Sequence, residues 1–206
     1  MKTRQHRIVG YADDILIFWT SKTGAENALK VASNLLEVPL KFKVNERKTH
    51  IAHSDTGVKF LGVVIYTNST SMQEKKLKAF KFKVKQLTKR NGGCNLATVL
   101  TRLNPVLRGF VNHFKIASIT SKIKGLAGLV RRRLRATQLT LWKTASKSHR
   151  RLKQLKYKPP FKRIKMKSWC NSSSPLAHYA MPNSWFDGIG LYKIDKVKTG
   201  VIASYY

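Results

Sequence analysis

The chain has 206 residues, and its 41 Lys and Arg residues against nine Asp and Glu residues give a formal net charge of +32. Such an excess of like charge points to a polyanionic partner, because phosphates neutralise the repulsion between the cations. A hydrophobic content of 42% excludes a disordered basic tail. The sequence has no long apolar run and no signal-peptide pattern, which predicts no membrane partner and a cytoplasmic (bacterial) or organellar location.

The chain opens with a predicted β-hairpin. Residues 6–11 and 15–20 are rich in β-branched and aromatic residues, which favour strands. Ala12, Asp13 and Asp14 form the predicted tight turn between them. Two adjacent carboxylates therefore lie at the end of a small sheet, in a chain that has few carboxylates.

A helix and a β-meander are predicted next. Apolar residues recur at three- and four-residue spacing from Ala25 to Leu36, which predicts a helix that ends at Pro39. Apolar residues alternate with Lys over 40–44, which predicts a half-buried strand. A second strand pair is predicted over 48–53 and 58–66. The first 66 residues therefore indicate an α+β unit.

The rest of the chain is predicted to be mainly helical. Apolar spacing indicates three long helices, at about residues 77–87, 96–117 and 123–142. Changes in composition near residues 70 and 125 divide the chain into three predicted domains, 1–70, 71–124 and 125–206. The predicted fold class is α+β, with a helical and strongly basic C-terminal part.

Asp13 and Asp14 are the strongest candidates for chemistry. Two carboxylates at a hairpin turn can share divalent cations, because hard cations such as Mg²⁺ prefer oxygen ligands. Two-metal phosphoryl transfer uses such a site, with ions roughly 3.5–4 Å apart. The alternative is that Asp serves only as a turn former. The place of this pair between two apolar strands, in a chain with nine acidic residues, favours the metal site.

Five sequence boxes, in one order, resemble a single protein family. Tyr11-Ala12-Asp13-Asp14 resembles the active-site box of reverse transcriptases. VNERKT at 44–49 is similar to the Asn-x-x-Lys-Thr box of the group II intron-encoded reverse transcriptase/maturases, and GVKFLG at 57–62 resembles their primer-grip hairpin. LNPVLRGF at 103–110, with Asn112 and Phe114, resembles their thumb signature. Their maturase-specific region is similar to residues 134–143, 174–176 and 183–185.

The resemblance implies roles for particular residues. Asp13 and Asp14 would be catalytic metal ligands for Mg²⁺, and Lys48 would face the triphosphate or protonate the leaving pyrophosphate. Contacts to the nucleotide or the primer would come from Tyr11, Ala12, Phe60, Leu61 and Gly62. The implied architecture is a partial reverse-transcriptase palm (β-hairpin, helix and β-meander), then an α-helical thumb, then a basic maturase region.

One element of the family pattern is missing ahead of the Tyr-Ala-Asp-Asp box. The family has fingers and an earlier palm strand with a third catalytic Asp there, whereas no acidic residue precedes Asp13 in this sequence. We therefore expect the chain to correspond to the C-terminal part of such an enzyme and to lack RNA-directed DNA polymerase activity alone. An upstream fingers–palm fragment, and a DNA target or an RNA/DNA hybrid, are the partners expected of a completed site.

The basic half of the chain is the predicted RNA-binding part. Between Glu74 and Asp187 lie 112 residues that include 28 Lys and Arg residues and no carboxylate. Lys- and Arg-rich helices bind phosphates, and the expected partner is group II intron RNA. The candidate contacts are Arg108, Arg131, Arg132, Arg133, Arg135, Lys143, Arg150, Arg151, Lys153, Lys162, Arg163 and Lys165.

Four functions remain open at the level of sequence. The chain could contribute a catalytic hairpin to an RNA-directed DNA polymerase. It could instead bind folded intron RNA and assist splicing without doing chemistry, which the missing third carboxylate favours. It could also be the remnant of a truncated intron reading frame, or a general basic RNA-binding protein.

Overall fold

The computed structural model describes residues 7–90, 92–162 and 174–200. The chain divides into two compact units, residues 1–69 and residues 70–206. The first unit contains short strands and one helix, and the second is mainly helical. The predicted α+β fold class is therefore confirmed, and no helix in the described ranges combines the length and apolar composition needed to cross a bilayer.

The predicted β-hairpin begins the first unit. Strand β1, Arg7–Tyr11, pairs antiparallel with strand β2, Asp14–Phe18. The register places Ile8 opposite Ile17 and Tyr11 opposite Asp14, so the connection is a two-residue turn. Cross-strand pairs of β-branched side chains stabilise such a hairpin.

Helix α1, Lys22–Glu37, follows the hairpin and confirms the predicted helix. The Ser21 side chain caps its N-terminus by accepting a hydrogen bond from the Gly24 N–H at 3.2 Å. The helix ends just before Pro39, which has no N–H to continue the helical pattern. None of its residues is buried, so its apolar side chains remain accessible.

The predicted strands at 40–44 and 48–53 are wrong. The backbone N–H of Phe42 bonds to the carbonyl of Leu36, and the N–H of Val44 bonds to the Glu37 carboxylate. These two N–H groups therefore bond to the C-terminal end of α1 rather than to a neighbouring strand. The Asn45 carbonyl then closes a turn that includes Lys48.

The predicted strand at 58–66 is a hairpin of two shorter strands. Strand β3, Val58–Phe60, pairs antiparallel with strand β4, Val63–Ile65. Leu61 and Gly62 form the turn, with φ of 48° and 84°. Two consecutive residues with positive φ are typical of the primed turns that match the twist of paired strands, and a glycine at the second position takes this conformation without strain.

The second unit begins with strand β5, Thr70–Met72, and three long helices. These are α2, Glu74–Leu87, α3, Leu96–Phe114, and α4, Thr120–Trp142, and they confirm the predicted helices. Leu77, Phe80 and Val84 of α2 are buried, as is a longer row of aliphatic residues on α3 and α4. Phe80 stacks on Phe110 with ring centroids 3.6 Å apart. Helix α4 runs without a break through residue 125, the start of the third predicted domain.

Three shorter helices follow among the described residues of this unit. They are α5, Ala145–Gln154, α6, Pro175–Ala180, and α7, Asn183–Gly188, followed by a 3-10 turn at Ile194–Lys196. Asn104 of α3 binds this C-terminal segment twice: its Nδ2 donates to the Gly190 carbonyl at 2.8 Å, and its Oδ1 accepts from the Tyr192 N–H at 2.9 Å. The described C-terminal residues therefore belong to the helical core.

Candidate functional site

The structure places the two adjacent carboxylates at the tip of the first hairpin. Asp13 lies in the turn, Asp14 begins β2, and both residues are exposed. Ala12, the first turn residue, adopts a φ of 49°, which non-glycine residues rarely take. The strand pairing on both sides of the turn therefore holds this conformation.

The donor set at this tip fits only part of a magnesium site. In residues 7–90, 92–162 and 174–200, no three His, Cys, Asp or Glu side chains come together as a metal site. Carboxylate oxygens are the ligands that Mg²⁺ prefers, and Mg²⁺ also keeps waters and substrate phosphates in its octahedral shell. Asp13 and Asp14 could therefore supply two of its ligands.

Tyr11 ends β1 beside the two carboxylates, whereas the other predicted polymerase residues after β2 lie in separate turns of the first unit. Lys48 is exposed in the turn after residue 44, and the Tyr11 side chain is exposed on the first hairpin. The predicted primer-contact residues Phe60, Leu61 and Gly62 form the tip of the β3–β4 hairpin. Among the described residues, no hydrogen bond or ion pair joins Lys48 to either carboxylate.

Arg135 of α4 is a structural residue. Its side chain is buried, at 7% exposure. Its Nε donates to the Met181 carbonyl and its Nη2 donates to Asn183 Oδ1, each at 2.9 Å. The guanidinium also lies 5.1 Å from the ring centroid of Phe186. Burial, and then the charge of Arg131, lower the pKa of Arg135 to about 10. A buried guanidinium with these partners is poorly placed for the RNA contact predicted for Arg135.

Arg131 is also engaged within the protein. Its Nη2 forms an ion pair with Asp195 Oδ2 at 2.6 Å, and its side chain is only 13% exposed. Burial alone would raise the pKa of the Asp195 carboxyl, but the hydrogen bond and charge of Arg131 outweigh it, so the pKa lies below its ordinary value. This pair attaches the C-terminal 3-10 turn to α4.

Arg133 caps the C-terminal end of α2. Its Nη2 donates to the carbonyls of Lys85 and Thr88, and its Nε donates to Thr88 Oγ1 at 3.0 Å. A cation is favourable there, because the last carbonyls of a helix lack intrahelical partners. Burial, followed by the charges of Arg90 and Arg132, lowers the pKa of Arg133. Two further arginine charges therefore lie near this helix end.

The remaining predicted RNA contacts are mostly on the surface. Ser148 and Leu152 of α5 are buried, which leaves its basic residues on the outer side. Arg108 is exposed but lies 5.3 Å from the Tyr192 ring centroid, and Arg151 is half-buried. The exposed predicted cations are Arg132, Lys143, Arg150, Lys153 and Lys162. Arg163 and Lys165 lie outside the described residues.

Sequence reasoning missed a basic groove between α2 and α4. Its volume is about 420 Å³. We call it the α2–α4 groove, and it is lined by Leu77, Lys81, Lys85, Lys122, Gly125, Leu126, Leu129 and Arg132. The four-residue step from Lys81 to Lys85 repeats on one side of a helix, a signal that the sequence already carried.

Comparison with known families gives two matches. Residues 1–65 match the family described as reverse transcriptase (RNA-dependent DNA polymerase). Residues 77–157 match the family described as group II intron, maturase-specific domain. No curated protein matches the chain.

The order of the two matches defines the class of protein. A reverse-transcriptase segment with a Tyr-Ala-Asp-Asp hairpin precedes a helical, basic maturase-specific segment. These two segments cover most of the chain and agree with its two structural units. Together the two matches support a group II intron reverse transcriptase/maturase.

Proposed function

We propose that the chain binds group II intron RNA through the exposed cations of its second unit and thereby assists splicing. The observation that carries this proposal is the row of exposed basic residues on and after α5, in a stretch of 112 residues without a carboxylate. The maturase-specific match spans α5, which supports RNA as the polyanion.

The expected binding is mainly electrostatic. Each phosphate that a Lys or Arg neutralises releases counterions, so affinity falls as salt rises. If about six to ten phosphates are contacted, affinity should fall by about 10³- to 10⁵-fold between 50 and 200 mM salt on a duplex-like RNA, and somewhat less on single strands.

A salt series with matched charge variants tests the proposal. We expect Arg150, Lys153 and Lys162, replaced together by Gln, to reduce the salt slope by about one per lost phosphate contact in filter binding of a folded intron RNA. The control replaces Lys30, Lys43 and Lys59, three exposed lysines of the first unit, with Gln. An equal loss in both variants, or binding that does not depend on salt, would contradict the proposal.

We further propose that the carboxylate hairpin contributes to polymerase chemistry only when a fingers–palm fragment completes the site in trans. The first unit supports this idea because it leaves many large apolar side chains exposed, among them Ile8, Ile15, Val31 and Phe42. Its buried hydrophobic residue in the described range is Val63. Such surfaces mark interaction sites.

In the completed site, Asp13 and Asp14 would hold Mg²⁺ against substrate phosphates. When bound, Mg²⁺ would stabilise the charge that develops on the transferred phosphoryl group. The reverse-transcriptase match over residues 1–65 supports an RNA/DNA hybrid or a DNA target as the substrate. Lys48 is the proposed donor to the leaving pyrophosphate.

A further inference from the structure

The α2–α4 groove combines a basic lining with an apolar floor. Lys81 and Lys85 line its α2 side, and Lys122 and Arg132 line its α4 side. The floor consists of Leu77, Leu126 and Leu129, and none of the lining residues is acidic. A concave site with this lining fits a ligand that is both anionic and partly apolar.

The hydrogen-bond partners of Lys122 do not neutralise its positive charge. Its Nζ donates to Ser71 Oγ at 2.9 Å and to the Met72 carbonyl at 3.3 Å, both of which are neutral oxygens. An ammonium group has three donors, so one remains for an anion. The hydrogen bonds thus fix the position of the Lys122 charge without cancelling it.

An exposed aromatic side chain, Phe82, lies three positions before Lys85 of the groove on α2. Phe82 is 61% exposed, whereas Phe80 on the same helix is buried. At about 100° per residue, Phe82 projects about 60° from Lys85, and both lie away from the buried face of α2. An aromatic ring among lysines is the combination on which proteins stack unpaired bases while holding the backbone.

We propose that the α2–α4 groove binds a short unpaired RNA segment, with phosphates at its four cations, one base on its leucine floor, and a neighbouring base stacked on Phe82. The site rests on the proposed RNA-binding function and refines it by assigning unpaired nucleotides to this surface. A duplex does not fit, because its bases are paired and stacked and cannot enter a pocket. An acidic peptide matches the charge but offers no planar group for Phe82.

The central test fills the groove through Gly125, which lines it. An added Cβ at Gly125 or at Gly128 meets no atom within 4 Å, so both α4 positions accept a side chain, but only Gly125 lines the groove. Leu at either site also raises helix propensity by a similar amount. We expect Gly125→Leu to weaken binding of a labelled 12-nucleotide oligouridine by about tenfold, and Gly128→Leu to change it less than twofold.

A second test addresses stacking. Phe82→Leu keeps an apolar side chain but loses the aromatic face, so oligouridine binding should weaken by about fivefold to 150-fold, with Phe82→Trp restoring it. Binding of a 12-base-pair RNA duplex should not change in either variant. Circular dichroism and thermal melting establish that each variant is folded.

The results of these tests distinguish the groove assignment from the proposed binding of intron RNA. The groove assignment is overturned if folded Gly125→Leu binds oligouridine like the unmodified chain, if both Gly variants lose equally, or if oligoglutamate of equal charge competes as well as oligouridine. In those cases salt-dependent binding of folded intron RNA, measured in the same preparations, would still support RNA binding elsewhere. Loss of that salt dependence would instead contradict the proposed function itself.

Discussion

Asn104→Ala should weaken the attachment of the C-terminal segment to α3. The Asn104 amide both donates to the Gly190 carbonyl and accepts from the Tyr192 N–H. Gly190 is exposed, so water can replace the lost donor there, whereas Tyr192 is half-buried and its N–H loses its partner. An unsatisfied buried donor costs about 1–3 kcal/mol, and a net hydrogen bond adds about 1 kcal/mol. We therefore expect a loss of about 2 kcal/mol.

Asn112 on the same helix provides a matched control. It is exposed, so Asn112→Ala has the same gain in helix propensity without the hydrogen bonds to the C-terminal segment. The difference between the two variants therefore isolates the amide contacts. Both asparagines belong to the box at 103–114 that resembles a thumb signature, yet the structure gives only Asn104 these contacts.

Thermal unfolding followed by circular dichroism measures the difference. About 2 kcal/mol corresponds to a Tm lower by roughly 4–8 °C for a chain of this length. Limited proteolysis should also cut residues 174–200 of Asn104→Ala sooner than those of Asn112→Ala. Equal Tm values for the two variants would refute the argument that these hydrogen bonds attach the segment.

Three further predictions concern charged residues. Arg135→Gln should leave the salt slope of RNA binding unchanged, because this guanidinium is buried against Met181. A slope reduced by about one in filter binding would instead show that Arg135 contacts a phosphate. The Asp195 carboxyl has a lowered pKa in the folded protein, so its contribution to stability is present above the unfolded pKa and is lost as pH falls below about 4; in acid titrations Asp195→Asn should lose less stability over that range. Primer extension on an RNA template should require an added fingers–palm fragment and Mg²⁺, and Asp13→Asn should abolish it, since a neutral amide is a poor substitute for the carboxylate; extension by the chain alone would contradict this.

The sequence predicted an element correctly where its periodic apolar residues pack against neighbouring helices. The helices α2, α3 and α4 were predictable because their buried residues repeat every three or four positions and pack on one another. The prediction of a strand at 40–44 was wrong because the alternation of apolar residues with Lys does not show which hydrogen-bond acceptors lie nearby. The Glu37 carboxylate and the Leu36 carbonyl accept the N–H groups that a strand would have used.

The functional residues were harder to predict because composition does not distinguish paired from exposed cations. Arg131, Arg132, Arg133 and Arg135 form one basic run in the sequence. Successive helix positions point in different directions, so Arg135 faces the core and Arg131 meets Asp195, whereas Arg132 lines the groove. Asp195 lies 64 residues away from Arg131, a separation at which local pattern carries no information.

Because successive positions of α4 point in different directions, one basic helix can serve both folding and binding. A cation that stabilises the core must lose its hydration and find oxygen partners, as Arg133 does at the end of α2. A cation that binds phosphate must keep its charge accessible until the ligand arrives. Burial, and then the charges of neighbouring arginines, lower the pKa values of Arg133 and Arg135, so a polyanion next to them relieves part of the charge repulsion. RNA binding at the exposed groove should therefore stabilise the second unit, and the increase in Tm should shrink as salt rises.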